Sequence, residues 1–396
     1  RENSYLHPMR DMRTIVFIVG LLVLFSAGVF GQQVTRRVCD TIHYELIREK
    51  IIIPVTVNGI KVKYIVDTGG KTGTMRDVAV DMKATSTGTS TSVSDINRAG
   101  TSFQTGILHD VELSPNYRLP RLETMIFPAT GFFRELGVAG ILGGDAFARS
   151  VITFDSREKI MVINYPYRPA GLKITDGVRM FPGQSSHSIV DVDFGGVSKR
   201  VLFDTGASGL LLLSSIDYGD LKDKVKNIKV AEAIGVNMVG ISGVGQPVEI
   251  DKVAIGEMTF LDKKFTNVGS ITINMGMSII GIDMLRYGKI VIDYMRERFY
   301  FFPYGEEIVD AGGAPKTWNV GILPVKGHFE VTIVWDNLKD QLEFGDRVVN
   351  INGKNLSSVA QSQLEIDALL DAIEGDSAYI IILKEGRERK VEIKRF

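Results

Sequence analysis

VNGIKVKYIVD, Val57 to Asp67, runs straight into Thr68-Gly69, and FGGVSKRVLFD, Phe194 to Asp204, runs straight into Thr205-Gly206. The two aspartates stand 137 residues apart (204 − 67). Two later blocks repeat in the same order. Ile141 to Phe147, ILGGDAF, matches Ile279 to Leu285, IIGIDML, and Ile152 to Ile163, ITFDSREKIMVI, matches Ile290 to Phe301, IVIDYMRERFYF, both at a spacing of 138 (290 − 152). Three blocks in one order mean a duplicated unit that builds two lobes of one body. Asn164 to Gly171, NYPYRPAG, carries two prolines between the copies and reads as their connector.

Each copy is a string of short runs rich in Val, Ile, Thr, Tyr and Phe, broken by Asn-Gly and Gly-Gly turn signals, which predicts antiparallel strands and hairpins. The Thr/Ser/Gly tract Thr85 to Ser94 suits a polar hairpin arm. The expected fold class is mostly β, with one lobe over residues 32–165 and the other over 166–305.

The chemistry sits where an apolar strand stops at an acid. A carboxylate at the end of a buried strand is costly unless it is hydrogen-bonded or shares a proton, and the following Gly allows a tight turn whose N–H groups point back at it. Asp67 and Asp204, at equivalent points of two similar lobes, can meet across a pseudo-two-fold axis. Like-charge repulsion then leaves one protonated and one ionised, an acid and a base side by side. As plain turn residues the two aspartates would only cap structural hairpins; two copies in register favour the dyad.

On these residues the chain resembles the aspartic peptidases of the pepsin and retroviral-peptidase type, over about Ile51 to Pro303. The resemblance rests on the apolar-Asp-Thr-Gly turn and the later apolar-apolar-Gly block of each lobe, Ile141-Leu142-Gly143 and Ile279-Ile280-Gly281. It implies a catalytic pair, Asp67 and Asp204, supported by Thr68, Gly69, Thr205 and Gly206, with the two threonines bonding across the lobes. It implies flap hairpins with tips near Asn97 to Gly100 and Gly240 to Gly245, so Asn97, Gly100, Gly240 and Gly243 are candidate flap residues. It also implies that no metal or organic cofactor is needed and that the substrate is a peptide or protein. Two departures stand out. Gly70 and Ala207 replace the Ser or Thr that follows Asp-Thr-Gly in pepsin-like enzymes, and Lys71 in the first turn fits neither pattern. They bear on how active the first half-site is, and they support the alternative of a weak or inactive peptide-binding scaffold.

After Phe302-Pro303 the repeat ends, and residues 306–315, with Asp310 to Pro315 reading DAGGAP, are expected to form a flexible linker. A separate module over 316–396 follows, so truncation near Gly312 is expected to leave the lobes folded. Phe344 to Gly353, FGDRVVNING, is a Gly-Asp turn into a strand ending in Asn-Gly; Gln363 to Ile373 has helical spacing and Ala378 to Leu383 reads as a buried strand. This stretch resembles a small αβ PDZ domain, with Val320, Gly321 and Ile322 in the place of that family's carboxylate-binding loop. The resemblance implies a module that takes an extended peptide as an added strand, or that regulates the lobes.

Composition limits the other possibilities. Of 396 residues 44% are hydrophobic and 23% charged, ordinary for a folded chain. Lys plus Arg number 46 against 47 Asp plus Glu, so no overall field draws the chain to nucleic acid. The single cysteine, Cys39, excludes an intrachain disulfide or a Cys-based metal site, and five histidines leave little else to bind metal. No strand-to-helix Gly-x-Gly-x-x-Gly is present, which sets nucleotide binding aside. Residues 1–31 hold a leader: Arg10 and Arg13, the apolar run Ile15 to Phe25, and small residues from Ser26 with Val29 and Gly31 suited to a cleavage site before Gln32. The expectation is export to a periplasmic or extracellular site, or membrane anchoring through the leader if it is retained, its apolar run being shorter than a spanning helix needs.

Overall fold

The computed structural model describes residues 37–94, 100–181, 183, 186–236, 239–240, 243–244, 246–306, 308–314 and 316–396. The leader expected over residues 1–31 lies outside them.

The repeat is visible in strand order. In the first lobe an eight-stranded sheet runs Glu45–Ile47, Lys50–Val57, Ile60–Val66, Gly140–Leu142, Gly73–Met75, Tyr117–Phe127, Gly100–Ser114, Thr85–Ser94. The second lobe repeats its centre as Ser188–Phe194, Val197–Phe203, Ser278–Ile280, Leu211–Ser214, Lys263–Ile273. Registers repeat as well: Ile52 pairs Ile65 in one lobe, and Ile189 pairs Leu202 in the other. Gly100–Ser114 pairs with both Tyr117–Phe127 and Lys50–Val57, as Val248–Phe260 pairs with both Lys263–Ile273 and Ser188–Phe194. Each sheet therefore curls back on itself and hides most of its edges.

The third repeated block makes the base that joins the lobes. Val151–Asp155 and Ile160–Tyr165 form one hairpin, Gly288–Asp293 and Arg298–Pro303 the other, and they join through Val151–Asp155 and Gly288–Asp293 into a six-stranded sheet. Ile152, Phe154, Ile290 and Ile292 are fully buried there, and one apolar cluster continues through them from Ile53 and Tyr64 to Val190 and Phe203. The strand bearing each aspartate emerges from solvent and ends in that cluster, since Tyr64, Ile65, Val66 and their counterparts Val201, Leu202, Phe203 are buried on both faces. This apolar finish holds the acid still.

The stretch expected as a linker is structured for most of its length. Ile308–Gly313 is a strand parallel to Lys263–Ile273, with Lys264 opposite Ile308 and Val268 opposite Gly313. Val309 and Ala311 alternate onto the main cluster, a period-two signal masked in the sequence by Gly312 and Gly313, which take positive φ.

The C-terminal module has its own apolar cluster, including Val331, Ile351, Ile366, Ile380 and Ile393. Its helix Gln363–Asp371 starts at Ser362, whose hydroxyl accepts from the Glu365 N–H. The module is not separate from the lobes, however. His328–Trp335 adds to the second lobe's strand Asn227–Gly235, with Ala233 opposite Trp335 and Gly235 opposite Ile333, so a 14-stranded sheet runs from lobe into module. Trp335, Ala233 and Ile250 bury one another at this seam, and the fully buried Lys252 donates to the Phe396 carbonyl (2.6 Å) and the Thr317 hydroxyl (3.2 Å). The module also meets the first lobe: the Ser362 hydroxyl donates to Glu135 Oε2 at 2.6 Å, and Leu364 packs on the cluster of Phe133 and Ile141. Val320, Gly321 and Ile322, expected in a loop, lie in the strand Val320–Val325, where Val320 and Ile322 are buried in the module's own core and a bulge follows Gly321.

Candidate active site

Asp67 and Asp204 are brought together by one construction used twice. The strand leading to each aspartate lies parallel to the apolar-apolar-Gly strand of its lobe: Val66 pairs Leu142, and Phe203 pairs Ile280. The next backbone bond continues the ladder, as the Asp67 N–H donates to the Leu142 carbonyl and the Asp204 N–H to the Ile280 carbonyl, both at 2.9 Å. Glycine is required in the apolar-apolar-Gly strand because the loop that follows each aspartate crosses it closely. A Cβ on Gly143 would stand 2.4 Å from the Gly70 carbonyl oxygen, and one on Gly281 2.4 Å from that of Gly209.

Thr68 and Thr205 lock the two turns to each other. The Thr68 N–H donates to Thr205 Oγ1 at 3.1 Å and the Thr205 N–H to Thr68 Oγ1 at 3.0 Å. Each hydroxyl then crosses to the other lobe, Thr68 Oγ1 to the Phe203 carbonyl (3.1 Å) and Thr205 Oγ1 to the Val66 carbonyl (2.8 Å). Both threonines are fully buried, so every donor in this ring has a partner where water has no access.

The carboxyls meet above that ring. The Gly69 N–H points at Asp67 Oδ1 and at Asp204 Oδ1, each 3.2 Å away, and the Gly206 N–H donates to Asp204 Oδ1 at 2.7 Å. A Cβ on Gly69 would lie 2.2 Å from Asp204 Cγ, and one on Gly206 2.5 Å from Asp67 Cγ. Each of the two residues keeps some exposed surface. Asp67 holds its proton well above the usual carboxylate range, chiefly through burial and then through the charge of Asp204; the Lys50 ammonium and the Gly69 N–H pull the other way. Two facing carboxyls with one proton can give a proton to one atom and take one from another.

Around the pair the lobes differ. Asp145 accepts from the Thr72 N–H (3.0 Å) and hydroxyl (2.7 Å), bracing the first loop; burial pushes its carboxyl upward against those bonds and the charge of Lys71. Its repeat counterpart Asp283 pairs with Arg286 at 3.6 Å instead. Lys71 pairs with Glu123 at 2.7 Å, with Thr91 of the hairpin arm at 3.5 Å. Lys50, which the sequence reading passed over, reaches the loop that follows Asp204, and His187 is its repeat counterpart. Aligning the copies at a spacing of 137 is the signal that finds them, and a spacing of 138 finds Asp145 with Asp283.

Of the candidate flap residues, Asn97 lies outside the described residues and Gly100 opens Gly100–Ser114, pairing Ser94. Gly240 pairs Gly243 in a small hairpin between Asn227–Gly235 and Val248–Phe260. Among the described residues no cluster of three His, Cys, Asp or Glu side chains could hold a metal.

No family model matches this chain, and no curated protein matches it. Among solved structures it is similar to the crystal structure of aspartic proteinase from Irpex lacteus, at 14% identity and a TM-score of 0.42, over 67% of this chain and 98% of that one.

Proposed function

We propose that the chain is an exported aspartic endopeptidase that hydrolyses peptide bonds with Asp67 and Asp204. The observation that carries this reading is the Gly69 N–H held 3.2 Å from a carboxylate oxygen of each lobe. Such a pair retains one proton between two groups and titrates as a unit. The ionised carboxylate takes a proton from water as the water oxygen attacks the scissile carbonyl carbon, and the protonated carboxyl donates to the carbonyl oxygen. The tetrahedral intermediate then collapses, the C–N bond breaks, and the proton passes to the leaving amine. The threonine ring supplies rigidity, because four buried bonds fix both loops before substrate arrives. The salt bridge of Lys71 to Glu123 removes one support for an inactive scaffold, since it draws that charge to one side.

For the C-terminal module we propose PDZ-like capture of an extended peptide along Val320–Val325. That strand pairs with His328–Trp335 on one side, and the helix Gln363–Asp371 packs near it. Incubation of the purified protein with a diverse peptide library, with and without a statine-type transition-state mimic, tests the enzyme reading. Cleavage that the mimic blocks, and that Asp67→Asn and Asp204→Asn each abolish, is expected. Binding of peptides without any cleavage would replace it with the scaffold. Export is checked by N-terminal sequencing of the secreted protein, with Gln32 as the expected first residue.

A further inference from the structure

Lys50 opens the strand Lys50–Val57, and carrying the register of Ile52 with Ile65 two residues onward sets its backbone opposite Asp67. Its side chain leaves that lobe. Lys50 Nζ donates to the Gly206 carbonyl at 2.7 Å and to Ser208 Oγ at 3.2 Å, both on the loop that follows Asp204. The same loop holds Asp204 through the Gly206 N–H at 2.7 Å. The repeat spacing of 137 makes His187 the counterpart of Lys50, opposite Asp204 by the register of Ile189 with Leu202. A strand start needs no basic residue, and partly burying an ammonium is costly, so two basic residues at this one repeat position call for a role.

We infer that Lys50 is a positioning residue for the Asp67/Asp204 pair: its ammonium clamps the Gly206–Ser208 loop from the opposite lobe and offsets the single negative charge that the pair carries. The inference rests on the endopeptidase reading for its activity readout only. The charged groups facing the site are few. Asp67, Asp204 and Glu49 favour the ammonium against the burial that pushes it toward neutrality. His187 faces Asp204 and Asp145, and burial pushes its imidazole toward the neutral form. Lys71 is engaged by Glu123. Lys50 therefore supplies the compensating cation, one positive charge against one negative.

The test compares Lys50→Met, Lys50→Gln and Lys50→Arg. Loss of the cation makes the pair release the first of its two protons only at higher pH, so the acid limb of the kcat/KM profile should rise by about one pH unit in Met and Gln, and kcat/KM below the limb should fall about tenfold. Arg keeps the charge and a donor for the Gly206 carbonyl and should restore the limb. Gln keeps a donor without the charge, so it separates clamp from charge and serves if the Met variant does not fold. Titration of ¹³C-labelled aspartate carboxyls by NMR, assigned with Asp67→Asn, reads the same shift without any turnover. An unmoved carboxyl titration in both Met and Gln overturns the inference, as does an equal loss of activity at every pH that Arg does not rescue. If the carboxyls shift but the parent hydrolyses nothing, Lys50 keeps its role and the endopeptidase reading fails instead.

Discussion

Alanine at Gly69 puts a methyl carbon 2.2 Å from Cγ and 2.4 Å from Oδ2 of Asp204. Ordinary contact begins near 3.4 Å, so the carboxyl must retreat by 1.2 Å (3.4 − 2.2) or the loop must open. Neither Gly69 nor Gly206 has a positive φ, so the whole effect comes from contact with the opposite lobe and none from the backbone's own preference. A displacement of about 1 Å in a reacting group costs about a hundredfold in rate, and overpacking of this kind costs roughly 1–3 kcal/mol in stability. Gly206→Ala makes the mirror-image collision, 2.5 Å from Asp67 Cγ, while Gly70→Ala brings its methyl to 3.1 Å, short of ordinary contact by only 0.3 Å (3.4 − 3.1). We therefore expect Gly69→Ala and Gly206→Ala to lose at least about a hundredfold in kcat/KM and to melt earlier, with Gly70→Ala within about tenfold of the parent. The assay is kcat/KM on one cleaved peptide, with thermal melts to show that each variant is folded. A Gly69→Ala protein with near-parental activity and melting temperature would refute the close approach of the carboxyls across the lobes.

Asp67→Asn should be more stable than the parent at pH 7: the raised proton affinity of Asp67 gives stability that is full below about 3.8 and lost as pH rises through the folded value, and Asn has no charge to lose. Urea melts at pH 3 and 7 should show the gap opening only at the higher pH; an equal gap at both would count against the pair. Truncation after residue 315 uncovers the edge of Asn227–Gly235 and the Trp335, Ala233 and Ile250 contact, so the lobes should aggregate or melt earlier in light scattering and calorimetry, and an unchanged melt would contradict the shared sheet. Lys252 is pushed down to about 8 by burial at that seam; the stability it contributes is present above 10.5 and lost as pH falls through about 8, a slope that Lys252→Met should remove from urea melts between pH 7 and 10.5.

The sequence by itself determined the duplication, the strand-rich class and the two acids. Each of these is written locally: a run such as Tyr64-Ile65-Val66 ending at Asp67 is a strand entering a core and stopping at a charge, wherever the rest of the chain goes. The helix expected over Gln363 to Ile373 was likewise legible from the spacing of Ile366 and Leu370, and it forms as Gln363–Asp371. Other features needed the three-dimensional arrangement. Gly69 reads locally as a residue for a tight turn, yet what excludes a side chain there is Asp204 from the other lobe. Gly312-Gly313 reads as a breaker, yet the strand around it is kept by the parallel partner Lys263–Ile273. The module after residue 316 reads as independent because its core is its own, and only the edge of Asn227–Gly235 draws it into the second lobe's sheet. Lys50 looks like any strand-opening residue until its ammonium is found on Gly206, 156 residues away. The division has one physical cause. Periodicity and turn chemistry act between near neighbours and are recorded in composition, whereas edge pairing, close approach and charge compensation act between residues that only the folded chain brings together.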